Sequence, residues 1–192
     1  MGFKVQVGIS NKHIHVSESH LEALFGAGHK LTVKKELKQP GQYAAAELLD
    51  VVGPKGTIKG VRILGPCRKE SQVELAQTDA RTIGLSLPVR ESGVLDGSPG
   101  VKLIGPKGEV QLEKGAIIAL RHIHLSPAQA AEAGVKDKDM VSIKVSSNRP
   151  LIFENVLIRS VEGFTDECHV DTDEGNAAGL NNDDFIEIIG KA

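Results

Sequence analysis

Short runs rich in Val and Ile, separated by frequent Gly and Pro, occupy most of the chain. Such runs, bounded by turn residues, are typical of β-strands. Gly-Pro-Lys-Gly occurs at Gly53–Gly56 and at Gly105–Gly108 between apolar residues, which predicts two hairpins, and Asp96–Gly100 predicts a loop. The predicted strands are Lys4–Ile9, Val61–Leu64, Gln72–Leu75, Val101–Ile104, Ile117–Leu120, Val141–Val145, Val156–Val161 and Phe185–Ile189. The pattern therefore predicts a mainly β protein.

Helical signals are few, and both predicted helices are short. Each begins after a serine, which is a favoured N-cap, and each ends at a glycine. One helix has proline at its first position, where the missing N–H costs nothing. The predictions are Glu18–Phe25, capped by Ser17 and ended by Gly26, and Ala128–Ala133, preceded by Ser126 and Pro127 and ended by Gly134.

The tripeptide His-Ile-His occurs twice, at His13–His15 and at His122–His124, and uses four of the seven histidines. On a β-strand, residues two apart share a face, so both imidazoles of each copy would point to one place. Neutral imidazole is a common ligand for zinc and similar metals. Each copy precedes one of the serine-capped helices, so the repeated unit indicates an internal duplication. The alternative is a pair of strands whose histidines face solvent.

A third donor repeats in the same way. Val61–Leu64 aligns with Val156–Arg159, and the same offset aligns Glu74 with His169. Two histidines and one further donor in each half would match the ligand count of an open catalytic zinc site. His169 is followed by an acidic run, which could be a solvated turn or could supply carboxylates that support a metal ligand. We favour the second interpretation.

Arg68 follows a Gly-Pro turn, and a guanidinium suits phosphate or carboxylate oxygens, although most arginines are surface charges.

The two cysteines, Cys67 and Cys168, do not form a disulfide framework; we interpret them as small buried residues of a protein from a reducing compartment.

Composition narrows the possible functions. A net charge of −2 and the lack of a basic stripe argue against nucleic acid as a partner, and the scarcity of aromatic residues argues against base stacking. No apolar run is long enough to span a membrane, and the N-terminus does not resemble a signal peptide. The length allows one domain or two small ones.

Five segments, in order along the chain, resemble the PduL-type phosphotransacylases, the phosphate propanoyltransferase family. They are Val7–His15, Leu64–Arg68, Gln72–Ala80, Leu120–Ser126 and His169–Ala177. The resemblance implies two small β-barrels with short capping helices, related by internal duplication. Residues 12–119 would form one barrel, and residues 1–11 with 120–192 the other. The active site would lie between them and hold two zinc ions per chain.

The resemblance also assigns roles to individual residues. The first metal, beside the sulfur of coenzyme A, would be held by His13, His15 and Glu74. The second metal, with water or phosphate in its remaining positions, would be held by His122, His124 and His169. Arg68 would bind phosphate. The coenzyme A pocket, often formed across a dimer interface, would be lined by Ser10, Lys35, Arg62, Leu64 and Asn176.

The implied reaction converts a short-chain acyl-CoA and phosphate reversibly to acyl phosphate and CoA, by direct attack of phosphate. The chain lacks a Gly-x-Ser-x-Gly elbow, which fits a reaction without a serine intermediate. The resemblance further implies a homodimer with no nucleic-acid or membrane partner. Family members in bacterial microcompartments carry an N-terminal extension. Here the first strand begins almost at Met1, so we expect a cytoplasmic enzyme unless such a segment is missing. The alternatives are a zinc-dependent thioesterase or other hydrolase, and a non-enzymatic metal-binding barrel module.

Overall fold

A computed structural model describes residues 2–192, which contain fifteen strands and four short helices. They divide into two compact units. The barrel unit comprises residues 2–11, 38–40 and 120–192, and the sheet unit comprises residues 12–37 and 41–119. The strands are β1 Phe3–Ser10, β2 His13–His15, β3 Val33–Glu36, β4 Tyr43–Gly53, β5 Gly56–Gly65, β6 Gln72–Glu74, β7 Val89–Arg90, β8 Val101–Ile104, β9 Glu109–Leu112, β10 Ala116–Ala119, β11 His122–Leu125, β12 Met140–Val145, β13 Leu151–Ser160, β14 Glu167–Asp171 and β15 Phe185–Lys191. The helices are α1 Glu18–Phe25, α2 Gln77–Thr82, α3 Pro127–Glu132 and α4 Thr172–Ala178.

The barrel unit is a closed six-stranded barrel in the order β1-β14-β11-β13-β12-β15. Closure follows because β1 pairs in parallel with β14 and antiparallel with β15, which leaves no free edge. Alternate residues of each strand point inward and fill the barrel, among them Val5, Ile123, Val141 and Ile158, all fully buried. This interior fixes the direction in which the intervening side chains point.

The sheet unit is a curled nine-stranded sheet in the order β7-β10-β6-β2-β5-β4-β8-β9, with β3 paired to β4. Its core, which includes Ile14, Leu24, Ile63 and Leu103, packs between the curled sheet and α1. The closed barrel, the curled sheet and the short helices confirm the predicted mainly β fold class.

Strand register confirms the internal duplication. β2 pairs in parallel with β5, His13 opposite Arg62, and antiparallel with β6, His13 opposite Glu74. β11 pairs in the same way with β13, His122 opposite Leu157, and with β14, His122 opposite His169. Each His-Ile-His strand therefore lies between one parallel and one antiparallel neighbour, and its antiparallel neighbour carries the third donor.

Local sequence signals explain the elements that were predicted. The hydroxyl of Ser17 caps α1, Ser126 and Gln129 form a reciprocal capping box on α3, and both Gly-Pro-Lys-Gly segments turn hairpins. The acidic run after His169 is different, because it forms α4, in which Asp171 and Glu174 make a second capping box. Asp171 and Glu174 therefore stabilise a helix start and do not form a solvated turn. The prediction that the run supplies the carboxylate supporting His169 is corrected, because that carboxylate belongs to Glu167, which precedes the run. Among residues 2–192, no helix combines the length and apolar character needed to cross a membrane.

Candidate metal centres

Three donors of the sheet unit converge where β2 faces β6. His13 Nε2 lies 3.4 Å from Glu74 Oε2, and His15 Nε2 lies 3.8 Å from Glu74 Oε1. All three side chains are buried, and one ligand atom from each lies within 4.8 Å of the others. We call this group the His-His-Glu centre.

The backbone holds His15 in the orientation that a metal ligand needs. Its Nδ1 lies 3.1 Å from the carbonyl oxygen of Leu64, so Nδ1–H donates there and Nε2 presents a lone pair to the centre. Burial, with the nearby His13 and Arg68, lowers the pKa of His15 to about 3. The ring is therefore neutral at physiological pH and able to bind a cation.

Glu74 is held as a carboxylate. Burial acts to raise its pKa, but His13, His15 and the hydroxyl of Ser92 outweigh burial and hold the pKa well below its usual range. Ser92 Oγ donates to Glu74 Oε1 at 2.9 Å, and the amide of Gln72 donates to the same oxygen. A buried anion flanked by two imidazoles suits a divalent cation.

The barrel unit carries the second group, the three-histidine centre. His122 Nε2 lies 3.1 Å from His124 Nε2 and 3.3 Å from His169 Nδ1. Tetrahedral zinc, with Zn–N distances of about 2.0–2.1 Å, separates two ligand nitrogens by roughly 3.3 Å. The three rings cross nearly edge to face, so their nitrogens meet at one point. The spacing therefore fits a zinc-like ion.

Other groups orient these rings as well. His122 Nδ1 donates to the carbonyl of Leu120 at 2.8 Å, and His169 Nε2 donates to Glu167 Oε2 at 2.8 Å. Burial, followed by the neighbouring His122 and His169, lowers the pKa of His124 to about 2. His124 is thus neutral, and its Nδ1 is the one buried side-chain polar atom within residues 2–192 without a hydrogen-bond partner. Both centres offer three donors and fit an ion with an open coordination position.

Arg68 lies beside the His-His-Glu centre. Its Nη1 donates to Ser92 Oγ at 3.1 Å, and the same hydroxyl donates to Glu74 and accepts from Gln72 Nε2 at 2.9 Å. The charge of Arg68 also contributes to the lowered pKa of His15. A guanidinium is thereby fixed next to a candidate metal ligand, an arrangement suited to an anionic substrate.

The residues predicted for the coenzyme A pocket are divided between the units. In the sheet unit, Lys35 is exposed on β3, Arg62 Nη1 on β5 donates to the carbonyl of Ala45 at 2.6 Å, and the carbonyl of Leu64 accepts from His15. In the barrel unit, Ser10 ends β1 opposite Asp171, and Asn176 lies in α4. Of these five residues, Leu64 accepts a hydrogen bond from the candidate ligand His15, and Arg62 lies opposite the candidate ligand His13.

Sequence reasoning missed three residues that support the centres. Ser92 and Gln72 hold Glu74, and Glu167 holds His169. Glu167 precedes His169 by two residues on β14, so strand alternation could have indicated it as a neighbour on the same face. Ser92 lies in an irregular segment and gave no sequence signal.

Comparison with known proteins shows the family of the chain. Residues 6–181 match the family model described as phosphate propanoyltransferase. The chain is 57% identical to a phosphate propanoyltransferase of Thermotoga maritima, over 95% of this chain and 88% of that protein. It is 50% identical to one of Rhodobacter capsulatus, over 96% and 86%, and 49% identical to one of Salmonella typhimurium, over 97% and 89%. The chain therefore belongs to the phosphate propanoyltransferase family.

Proposed function

We propose that the chain converts a short-chain acyl-CoA and inorganic phosphate to acyl phosphate and CoA, reversibly, with both metal centres serving the reaction. The observation that carries this proposal is the bond from Arg68 through Ser92 to Glu74. It places a fixed guanidinium, which suits phosphate, beside a donor set that suits a metal.

Membership of the family makes the chain an acyltransferase enzyme with phosphate acyltransferase activity. The non-enzymatic barrel module considered from the sequence is therefore set aside. The identity of the acyl-CoA, the direct attack and the metal content are the proposed part.

The two centres would each hold one zinc ion. His13, His15 and Glu74 would hold the ion that serves the thioester sulfur, and His122, His124 and His169 the ion that serves phosphate. Bound there, zinc would supply Lewis acidity and charge neutralisation, and a soft sulfur leaving group suits it.

Arg68 would bind and orient the phosphate. A planar guanidinium matches two phosphate oxygens, and its charge offsets the cost of bringing a dianion towards a thioester. A phosphate oxygen then forms a bond to the acyl carbon, the carbon–sulfur bond breaks, and CoA leaves as a thiolate that is later protonated.

The cysteines support direct attack by phosphate. Cys168 is buried as predicted, whereas the prediction is wrong for Cys67, which is only partly buried. Burial still raises the pKa of the Cys67 thiol, and it raises that of Cys168 much further. Both thiols are therefore protonated at physiological pH, whereas a nucleophilic cysteine acts as the thiolate. This argues against an acylated cysteine intermediate.

The coenzyme A contacts and the assembly complete the proposal. Lys35 and Arg62 would bind the phosphates of the coenzyme, and Ser10, Leu64 and Asn176 would line its pocket, shared across a homodimer. Both cysteines are free, which supports a reducing compartment such as the cytoplasm.

A panel of acyl-CoA thioesters, assayed with zinc-loaded protein and with or without phosphate, tests this function. Thiol release should depend on phosphate, and hydroxylamine should convert the acyl phosphate product to an acyl hydroxamate with release of phosphate. Thiol release at the same rate without phosphate, giving the free acid, would instead identify a zinc-dependent hydrolase.

A further inference from the structure

One buried side chain of the barrel unit comes from a segment that interrupts the sheet unit in sequence. Residues 38–40 lie between β3 and β4 and belong to the barrel unit. We call residues 38–40 the tip. Its middle residue, Gln39, is only 3% exposed, although glutamine is usually found at the surface. A buried primary amide is costly unless its donors and acceptor find partners.

The amide of Gln39 has partners on all sides, and one of them leads to the three-histidine centre. Its Nε2 donates to the carbonyl of Thr165 at 2.8 Å and to Glu167 Oε2 at 3.3 Å, and its Oε1 accepts from Thr165 N at 3.3 Å. Glu167 Oε2 is the atom that accepts from His169 Nε2. The amide and the imidazole therefore share one carboxylate oxygen.

The second oxygen of the carboxylate lies close to the backbone of β1. Gly8 pairs with His169, and a Cβ at Gly8 would lie 2.6 Å from Glu167 Oε1 and 3.1 Å from His169 Cδ2. The backbone of Gly8 does not adopt a left-handed conformation, so the space required by Glu167 and His169 is the reason for glycine there. Gln39 thus bonds one oxygen of the carboxylate, and the backbone of Gly8 lies close to the other.

We infer that Gln39 is a positioning residue of the three-histidine centre, acting through Glu167. It holds the carboxylate that receives Nε2–H of His169, so that Nδ1 of His169 is presented to the metal. The hydrogen-bond partner of one ring nitrogen fixes the tautomer and orientation of a histidine that binds metal through the other nitrogen. Loss of this partner therefore weakens metal binding. The inference rests on the proposed function only in that the centre binds a metal.

Zinc affinity, measured by competition with a chromophoric chelator in the absence of substrate, tests this role. Glu167→Gln should lower the zinc affinity of one of the two centres about 10- to 100-fold, which is the usual effect of losing the hydrogen-bond partner of a ligand. Gln39→Leu should lower the affinity of the same centre by about tenfold. In the Glu167→Gln background, Gln39→Leu should have little further effect, because its target is already lost.

Gln6→Leu is the matched control. Gln6 Oε1 accepts from Lys38 Nζ, and Gln6 Nε2 donates to Asp183 Oδ1 at 3.0 Å. This variant therefore removes another side-chain bond of the same tip while leaving the hydrogen bonds to Glu167 in place. It should leave both zinc affinities within about twofold of the unmodified protein, a change of under about 0.5 kcal/mol. Gly8→Ala is a second variant, in which the added methyl group would press against the carboxylate of Glu167. It should lower the zinc affinity of the same centre as Gln39→Leu.

The outcomes separate the two claims. Unchanged zinc affinity in Gln39→Leu, or equal losses in both Glu167 backgrounds, would overturn the role of Gln39 while leaving the proposed function intact. Equal losses in Gln39→Leu and Gln6→Leu would show general loosening of the tip and would also overturn it. If the unmodified chain binds no zinc at the three-histidine centre, both the inference and the proposed metal content fail.

Discussion

Removing the hydroxyl of Ser92 should uncouple Arg68 from the His-His-Glu centre. Ser92 Oγ makes three hydrogen bonds, and two of them join charged partners, Arg68 Nη1 at 3.1 Å and Glu74 Oε1 at 2.9 Å. Hydrogen bonds to charged groups contribute about 1.5–3 kcal/mol each, but Glu74 keeps the amide of Gln72 and Arg68 is partly exposed. We therefore expect Ser92→Ala to lower the free energy of unfolding by about 2 kcal/mol.

The larger consequence should be kinetic. A guanidinium that loses this hydrogen bond is held less firmly before the substrate binds, so KM for phosphate should rise and kcat/KM should fall about 10- to 100-fold, or roughly 1.4–2.7 kcal/mol. Unfolding by denaturant and initial rates against phosphate concentration measure the two effects.

Ser98→Ala is the matched control. Ser98 is a serine of the same unit, more deeply buried than the partly buried Ser92. Its hydroxyl donates to the carbonyl of Leu95 at 2.6 Å and accepts from Gly115 N at 2.9 Å. Its loss should cost about 1–2 kcal/mol of stability with phosphate kinetics unchanged. If Ser92→Ala keeps normal phosphate kinetics, or if both variants change them equally, Ser92 does not position Arg68.

Three further changes test separate parts of the account. Arg68→Ala should remove about 2–4 kcal/mol of transition-state stabilisation and leave the metal bound; near-normal phosphate kinetics would refute its role. His122→Ala should lower metal content together with activity, whereas His29→Ala, at a histidine bonded to Glu47, should keep both ions; full metal retention in His122→Ala would argue against ligation. The third change, Glu47→Gln, tests how stability depends on pH. Burial acts to raise the pKa of Glu47, but hydrogen bonds from Thr32 and His29 outweigh burial and lower the pKa. Its stabilisation is therefore present above the ordinary carboxyl pKa and lost as pH falls through the lowered value, so unfolding curves of Glu47→Gln and the unmodified protein should converge in acid.

The sequence predicted elements with strong local signals. The serine caps, glycine stops and Gly-Pro-Lys-Gly turns act over a few residues, which is why α1 and both hairpins were found. Tyr43–Gly53 was missed because its Ala-Ala-Ala-Glu-Leu-Leu run favours helix, yet it forms the longest strand by pairing with three neighbours. Tertiary pairing here overrides local propensity.

The candidate ligands were recognisable because the duplication supplied long-range information. Glu74 and His169 reach the histidines across antiparallel pairs, a relation that local periodicity does not contain. The alignment of Val61–Leu64 with Val156–Arg159 also aligns Glu74 with His169, and this shared offset stood in for the missing register. Ser92 and Gln39 belong to no repeated pattern, so only the folded structure places them beside Glu74 and Glu167.

Initial rates over a grid of acyl-CoA and phosphate concentrations test the central claim most directly. Direct attack by phosphate requires both substrates on the enzyme together, so double-reciprocal plots should intersect, and no acylated protein should form with acyl-CoA alone. Parallel lines, together with an acyl group found on the protein by mass spectrometry, would contradict the account.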